Sequence, residues 1–179
     1  GEVETAQVIA GVGSVANAEG VDDLVKGLPK LDILINNTGI FEPKPFFEIP
    51  DEDWQRFFDV NVMSGVRLSR AYAPGMVERG WGRIVFIASE SAINIPPEMV
   101  HYGMTKTAQL ASSRGLAETV GGSGVTVNSV LPGPTLTEGV ADFLKSMGGA
   151  GADLDAVGRD FIAENRPTSL LKRLARPEE

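Results

Sequence analysis

Gly82-Arg83-Ile84-Val85-Phe86-Ile87-Ala88-Ser89 and, one helix later, Gly124-Val125-Thr126-Val127-Asn128-Ser129-Val130-Leu131 decide how this chain folds. Each is a short run rich in apolar and β-branched residues, entered through glycine and closed by a polar or proline-containing turn. A strand with one wet face alternates apolar and polar residues. Runs that stay apolar throughout belong to parallel sheets covered on both faces. Leu31-Asp32-Ile33-Leu34-Ile35 reads the same way and ends at Asn36-Asn37-Thr38-Gly39, and 7–13 reads as a weaker strand before it.

Helical periods separate these runs. Residues 17–28 form one, with Asn17 as a cap and Pro29 beyond the end. Residues 51–79 form a long one, whose stripe of Trp54, Phe57, Phe58, Asn61, Gly65, Leu68, Tyr72 and Met76 advances by threes and fours. Residues 100–120 form another, stopped by Gly121-Gly122. One of its faces is small (Met104, Ala108, Ala111, Gly115), so a neighbouring helix or the sheet can come close. Strands alternating with helices predict an α/β chain: a doubly wound parallel sheet with helices on both faces.

Beyond Pro134 the texture changes. Residues 135–166 hold two helical stretches, 140–147 and 154–164, around Gly148-Gly149-Ala150-Gly151. This reads as a mobile, lid-like excursion within a single domain spanning 1–179, poor in large apolar anchors. Both ends read as cut. Pro177-Glu178-Glu179 has the proline and acids that open a helix but no helix body, and little precedes the first strand.

Composition removes several functions. The chain has 179 residues, 42% of them hydrophobic, which suits one ordinary domain with a core. It has no cysteine and one histidine, His101, so a thiolate or multi-histidine metal site is excluded and no metal is expected. A net charge of −8 opposes binding to nucleic acid or anionic membranes. No apolar run reaches the roughly 20 residues that span a bilayer. The opening residues lack the basic start and apolar centre of a signal peptide, so the expected location is the cytoplasm.

In an open parallel sheet, ligands gather at the carboxyl ends of the strands. Asn36 to Gly39, Ser89 to Ser91 and Pro132 to Thr135 all end strands there. Tyr102 and Lys106, four apart near the start of a helix, share one face one turn apart. A phenol ionises near pH 10 and is a poor base at neutral pH. An ammonium within about 4–6 Å, together with a helix N-terminus, favours the phenolate. Ser89 supplies a neutral donor to the same substrate oxygen. Asn61 is a polar residue on an apolar stripe, and a buried amide without partners costs about 1–3 kcal/mol. It is either a structural amide bonded to nearby backbone or part of the site.

Asn36-Asn37-Thr38-Gly39, Asn61, Ser89, Tyr102-Gly103-Met104-Thr105-Lys106 and Asn128-Ser129-Val130-Leu131-Pro132-Gly133, in this order, resemble the short-chain dehydrogenase/reductase family, whose fold is Rossmann-like. The resemblance implies Tyr102 as general acid/base, Ser89 as the group that orients substrate, and Lys106 as the group that lowers the Tyr102 pKa and holds the nicotinamide ribose. It implies that Asn61 holds a water of a proton relay. Asn36 and Gly39 would flank the cofactor, with Asn36 mainly bracing strands. Pro132 and Gly133 would admit the nicotinamide, and Thr135 and Thr137 would meet its carboxamide. The implied cofactor is NAD or NADP, the substrate a small alcohol or carbonyl compound, and the assembly a homodimer or homotetramer built on helices 51–79 and 100–120.

Three features depart from the family pattern. Thr38 stands where alanine is usual, Ser14-Val15 stands where an acid usually precedes an aliphatic residue, and no glycine-rich phosphate loop precedes Val8. That last departure leaves a competing reading, a non-catalytic binding or assembly protein or an inactive piece on the same fold. An epimerase or dehydratase of the related extended families fits the short lid and Asn61 less well.

Overall fold

The computed structural model describes residues 14–148, 151 and 153–179. The strand expected at 7–13 lies outside them. The chain packs as two compact units, Gly1–Leu131 and Pro132–Glu179. The boundary falls just before the excursion expected at 135–166, and the second unit runs past that excursion to the end of the chain.

The first unit follows the expected alternation. α1 (Ala18–Gly27) opens with the Asn17 side chain accepting from the Gly20 amide at 2.9 Å. β1 (Ile33–Asn36), β2 (Gly82–Ile87) and β3 (Val125–Val130) form a parallel sheet in the order β1-β2-β3. Ile33 sits beside Arg83, and Gly82 beside Val125. Leu34, Ile84, Phe86, Val125 and Val127 point to one face. There they pack with Val21 of α1, with Leu68, Tyr72, Ala73 and Met76 of α3 (Ser64–Glu78), and with Val120. The opposite face leaves Ile33, Ile35 and Val130 exposed.

The single helix expected over 51–79 is three consecutive helical pieces. α2 (Asp51–Phe58) and α3 flank a π-helical turn at Asp59–Met63, where the Ser64 amide donates to the Asp59 carbonyl, one residue further back than in an α-helix. Asn61 lies inside that turn. Beyond it, Gly65 lets α3 approach the sheet: an added Cβ would stand 2.8 Å from Phe86 Cε1.

α4 (Val100–Thr119) packs on the same sheet. Its buried side is polar: His101, Thr105, Lys106, Gln109 and Ser113. Met104 and Ala108 are half-buried and Ala111 and Gly115 exposed, so the small face looks away from the first unit's core. His101 is fully buried beside Phe57, ring centroids 4.0 Å apart, and Trp54, 5.9 Å. Among the described residues neither of its nitrogens has a hydrogen-bond partner, and burial pushes its pKa below 6.5.

The second unit has a small core of its own. α5 (Glu138–Gly148) and α6 (Leu154–Asn165) enclose Leu144, Ile162 and Leu174 with Val140, Phe143 and Phe161 around them. These apolar anchors outnumber what the glycine-rich sequence led us to expect. Thr135 bridges Ala175 in parallel, with the Leu136 amide donating to the Ala175 carbonyl at 2.9 Å.

Three stability outcomes follow from this packing. Gly65→Val drives a branched side chain into Phe86 and should lower unfolding free energy by about 1–3 kcal/mol. Gly115→Ala, with nothing within 4 Å of the new Cβ, should be neutral or slightly stabilising in the same urea titration. His101→Phe keeps the ring and removes two unpartnered nitrogens, so it should hold or raise stability at neutral pH. In the parent chain the unfolded state binds the His101 proton more tightly than the folded state. Stability should therefore fall as pH drops below 6.5. The part of that slope due to His101 should be missing in His101→Phe, as thermal unfolding at stepped pH would show.

Candidate active site

The π turn positions the first group. Asn61 is fully buried, and its side chain is held on two sides. Oδ1 accepts from the Ile40 amide at 2.7 Å. Nδ2 donates to the Ile40 carbonyl at 2.9 Å and to Thr105 Oγ1 at 3.0 Å. The Thr105 hydroxyl donates in turn to the Tyr102 carbonyl at 2.7 Å. One amide thus ties the loop after β1 to the first turns of α4. A π turn suits this task because its extra residue displaces a side chain from the regular helical stripe.

Lys106 is buried, and its Nζ donates to the carbonyl of Ile87, the last residue of β2, at 2.9 Å. The ammonium stands 5.6 Å from the centroid of the Tyr102 ring. Burial lowers its pKa from 10.5 to about 8. Gly39 faces it: an added Cβ would lie 3.5 Å from Lys106 Nζ and 3.6 Å from Asn61 Oδ1. Lysine has three N–H donors, and only one is directed at Ile87.

Ser89 follows the end of β2 and caps the short turn Glu90–Ala92, its Oγ accepting from the Ser91 amide at 3.1 Å. The same hydroxyl is hydrogen-bonded to Tyr102. The Phe41 ring meets the Tyr102 ring edge-on, centroids 6.3 Å apart.

Here the electrostatics depart from the sequence argument. Burial raises the Tyr102 pKa above 10.0. The Ser89 hydrogen bond opposes the rise and the Glu90 carboxylate adds to it. Lys106 does not set the direction. Desolvation of a would-be phenolate is the largest influence, and Lys106 itself loses charge to the same burial.

Asn36 turns into the helix side of the sheet, where Nδ2 donates to Ser69 Oγ at 3.2 Å. It braces β1 against α3. Pro132, Gly133, Thr135 and Thr137 belong to the second unit. Thr135 Oγ1 donates to the Gly133 carbonyl at 3.0 Å, and the Thr137 carbonyl accepts from Ala141 at the start of α5.

Sequence reasoning passed over two residues that build this site. Thr105 carries the link from Asn61 to α4. Gln109, buried one turn after Lys106, donates to the Asn61 main-chain carbonyl at 2.5 Å. Their signal was present as His101, Thr105, Gln109 and Ser113, polar residues at intervals of four on one helix face. Among the described residues no group of three His, Asp or Glu side chains is placed to hold a metal ion, and no helix is long and apolar enough to cross a membrane.

The family model for short chain dehydrogenase matches residues 3–147. The chain is 54% identical over 162 residues to the uncharacterised oxidoreductase YvaG of Bacillus subtilis, a match covering 90% of this chain and 61% of that protein. It is 38% identical over 126 residues to 7alpha-hydroxysteroid dehydrogenase of Escherichia coli, covering 70% of this chain and 48% of the relative. Among solved structures, L-sorbose reductase from Gluconobacter frateurii, complexed with NADPH and L-sorbose, superposes with a TM-score of 0.85 at 33% identity, over 93% of this chain and 64% of that one. This chain spans about three-fifths of the length of YvaG and of the sorbose reductase. With the parallel sheet, the ordered motifs and the family match all in agreement, the chain belongs to the short chain dehydrogenase family.

Proposed function

We propose that the protein is a nicotinamide-dependent oxidoreductase that uses NAD or NADP to interconvert a carbonyl compound and a secondary alcohol. One observation carries this reading: Ser89 is hydrogen-bonded to Tyr102, and one helical turn on Lys106 is buried with two donors to spare beside the bare backbone of Gly39. The missing side chain at Gly39 leaves the space a flat, hydroxyl-rich ligand needs beside Lys106, and the free N–H groups suit ribose hydroxyls. When bound, the nicotinamide supplies or receives the hydride.

The chain's own groups supply position and a proton. Ser89 and the Tyr102 hydroxyl hold one substrate oxygen between them. A phenol is protonated at neutral pH, and burial raises the Tyr102 pKa further, so it serves first as an acid, giving its proton to the oxygen of a carbonyl being reduced. Lys106, with a pKa of about 8, is poised to exchange protons near neutrality and to return one to Tyr102. Asn61 orders the link between the two, and any water it holds would use lone pairs not already taken by Ile40 and Gln109. The family resemblance assigns Pro132, Gly133, Thr135 and Thr137 to the nicotinamide end, and they complete the proposal.

The proposal includes self-association in the cytoplasm. A chain without cysteine depends on no oxidising compartment. α3 and α4 border an apolar groove of about 680 Å³ lined by Val66, Ala73, Pro74, Val77 and Leu116, with Gly115 at its wall. A second copy laying the same two helices across this groove would make an isologous four-helix contact.

Two outcomes test the reading. Tyr102→Phe should reduce carbonyl turnover by about 10²–10⁴-fold while leaving NADH or NADPH binding by fluorescence unchanged. Retained turnover would end the assignment. Gly115→Arg, with open space around the new side chain inside one copy, should leave folding intact and shift sedimentation from dimer or larger to monomer.

A further inference from the structure

We infer that Gln109 is a positioning residue for the proton-transfer site, holding the π turn so that Asn61 and, through it, Lys106 stand in register. The inference rests on the oxidoreductase reading for its consequence in turnover, but its geometry stands apart from that reading.

A π turn is a local excess of one residue, and a packed helix relaxes to α geometry unless something holds the displaced groups. The Asn61 side chain is held by Ile40 and Thr105. Its main-chain carbonyl is held from α4 by Gln109 Nε2 at 2.5 Å. A carbonyl only accepts, so this contact fixes the amide of Gln109 with nitrogen toward Asn61 and oxygen away. Among the described residues Gln109 Oε1 finds no partner, although the residue is almost fully buried. For stability alone this is a poor choice: an unsatisfied buried acceptor costs free energy that methionine or leucine of similar volume would avoid. The position therefore uses an amide for what the amide's nitrogen does.

Thr105 and Gln109 lie four apart on α4 and grip the same residue from below, one by its side chain and one by its backbone. Between them in sequence sits Lys106, and a Cβ added to Gly39 would lie 3.5 Å from Lys106 Nζ and 3.6 Å from Asn61 Oδ1, so both groups face the same glycine. Loosening the turn would loosen the Ile40 loop and admit water to Lys106. The lowered pKa of Lys106 comes from burial, so it reports on that seal.

The test compares the chain with Gln109→Met, and uses Gln109→Asn, which keeps the amide but shortens its reach, should Met fold poorly. Side-chain amine NMR reads the Lys106 titration without cofactor or substrate. The expected result is a midpoint that moves up from about 8 toward 10.5, with thermal stability unchanged or raised. Turnover with reduced nicotinamide should drop by about ten- to a hundred-fold in kcat, with KM little changed. An unmoved Lys106 midpoint with a lowered melting temperature would overturn the inference and leave Gln109 a packing residue. If Tyr102→Phe also proves as active as the parent, the oxidoreductase reading fails, and the Lys106 midpoint alone still decides whether Gln109 sets the geometry.

Discussion

A carboxamide sealed inside a protein must find partners within reach, and the Asn61 side chain finds its own on two segments, the loop after β1 and the opening of α4. Its side chain closes on both backbone groups of Ile40 and on the hydroxyl of Thr105. The loop after β1 and the opening of α4 therefore meet at one fixed point. Gly39 is held over Lys106 because Ile40 is held by Asn61. Tyr102 is held because Thr105 accepts from Asn61 and donates to the Tyr102 carbonyl. A helix of regular pitch would carry Asn61 past this point. The π turn at Asp59–Met63 is the backbone adjustment that the amide requires.

Burial then sets the chemistry. The same enclosure acts in opposite directions on the two titratable groups, since it penalises whichever form is charged: it raises the phenol of Tyr102 and lowers the ammonium of Lys106. From ordinary values of 10.0 and 10.5 the two pKa values move apart and change order, so the phenol holds its proton more tightly than the amine, and a proton passes downhill from Lys106 to a Tyr102 phenolate. A lysine acting only as a fixed positive charge would need to stay hydrated, and Lys106 is not. The spacing of Tyr102 and Lys106 suggested an ammonium that pulls the phenol down; burial is instead the largest influence on both groups.

Much of this was legible in the chain itself. The three apolar runs gave the parallel sheet, with strand ends shifted by a residue or two because glycine and the following polar turn leave the ladder early. Ser89, Tyr102 and Lys106 could be placed near one rim from spacing alone, and Asn61 stood out as the one amide on an apolar stripe. The π turn was not legible, since a stripe advancing by threes and fours absorbs an extra residue without losing its pattern. Gln109 was hidden by habit: polar residues on a helix are read as solvent-facing, while α4 buries its polar side and exposes its small one. The direction of the Tyr102 shift was also out of reach. It depends on how much water the Phe41 loop and the Ser89 turn exclude, and sequence does not carry that balance.

The central claim is that the exclusion of water raises the Tyr102 pKa above that of a free phenol. The chain contains only two tyrosines, and the other, Tyr72, donates its hydroxyl to the Leu28 carbonyl inside the core. In a Tyr72→Phe background the ultraviolet absorbance of phenolate reports Tyr102 alone. The account predicts a midpoint above 10.0 for that single tyrosine. A midpoint below 10.0 would show that Lys106, and not the exclusion of water, governs the phenol, and would contradict the account.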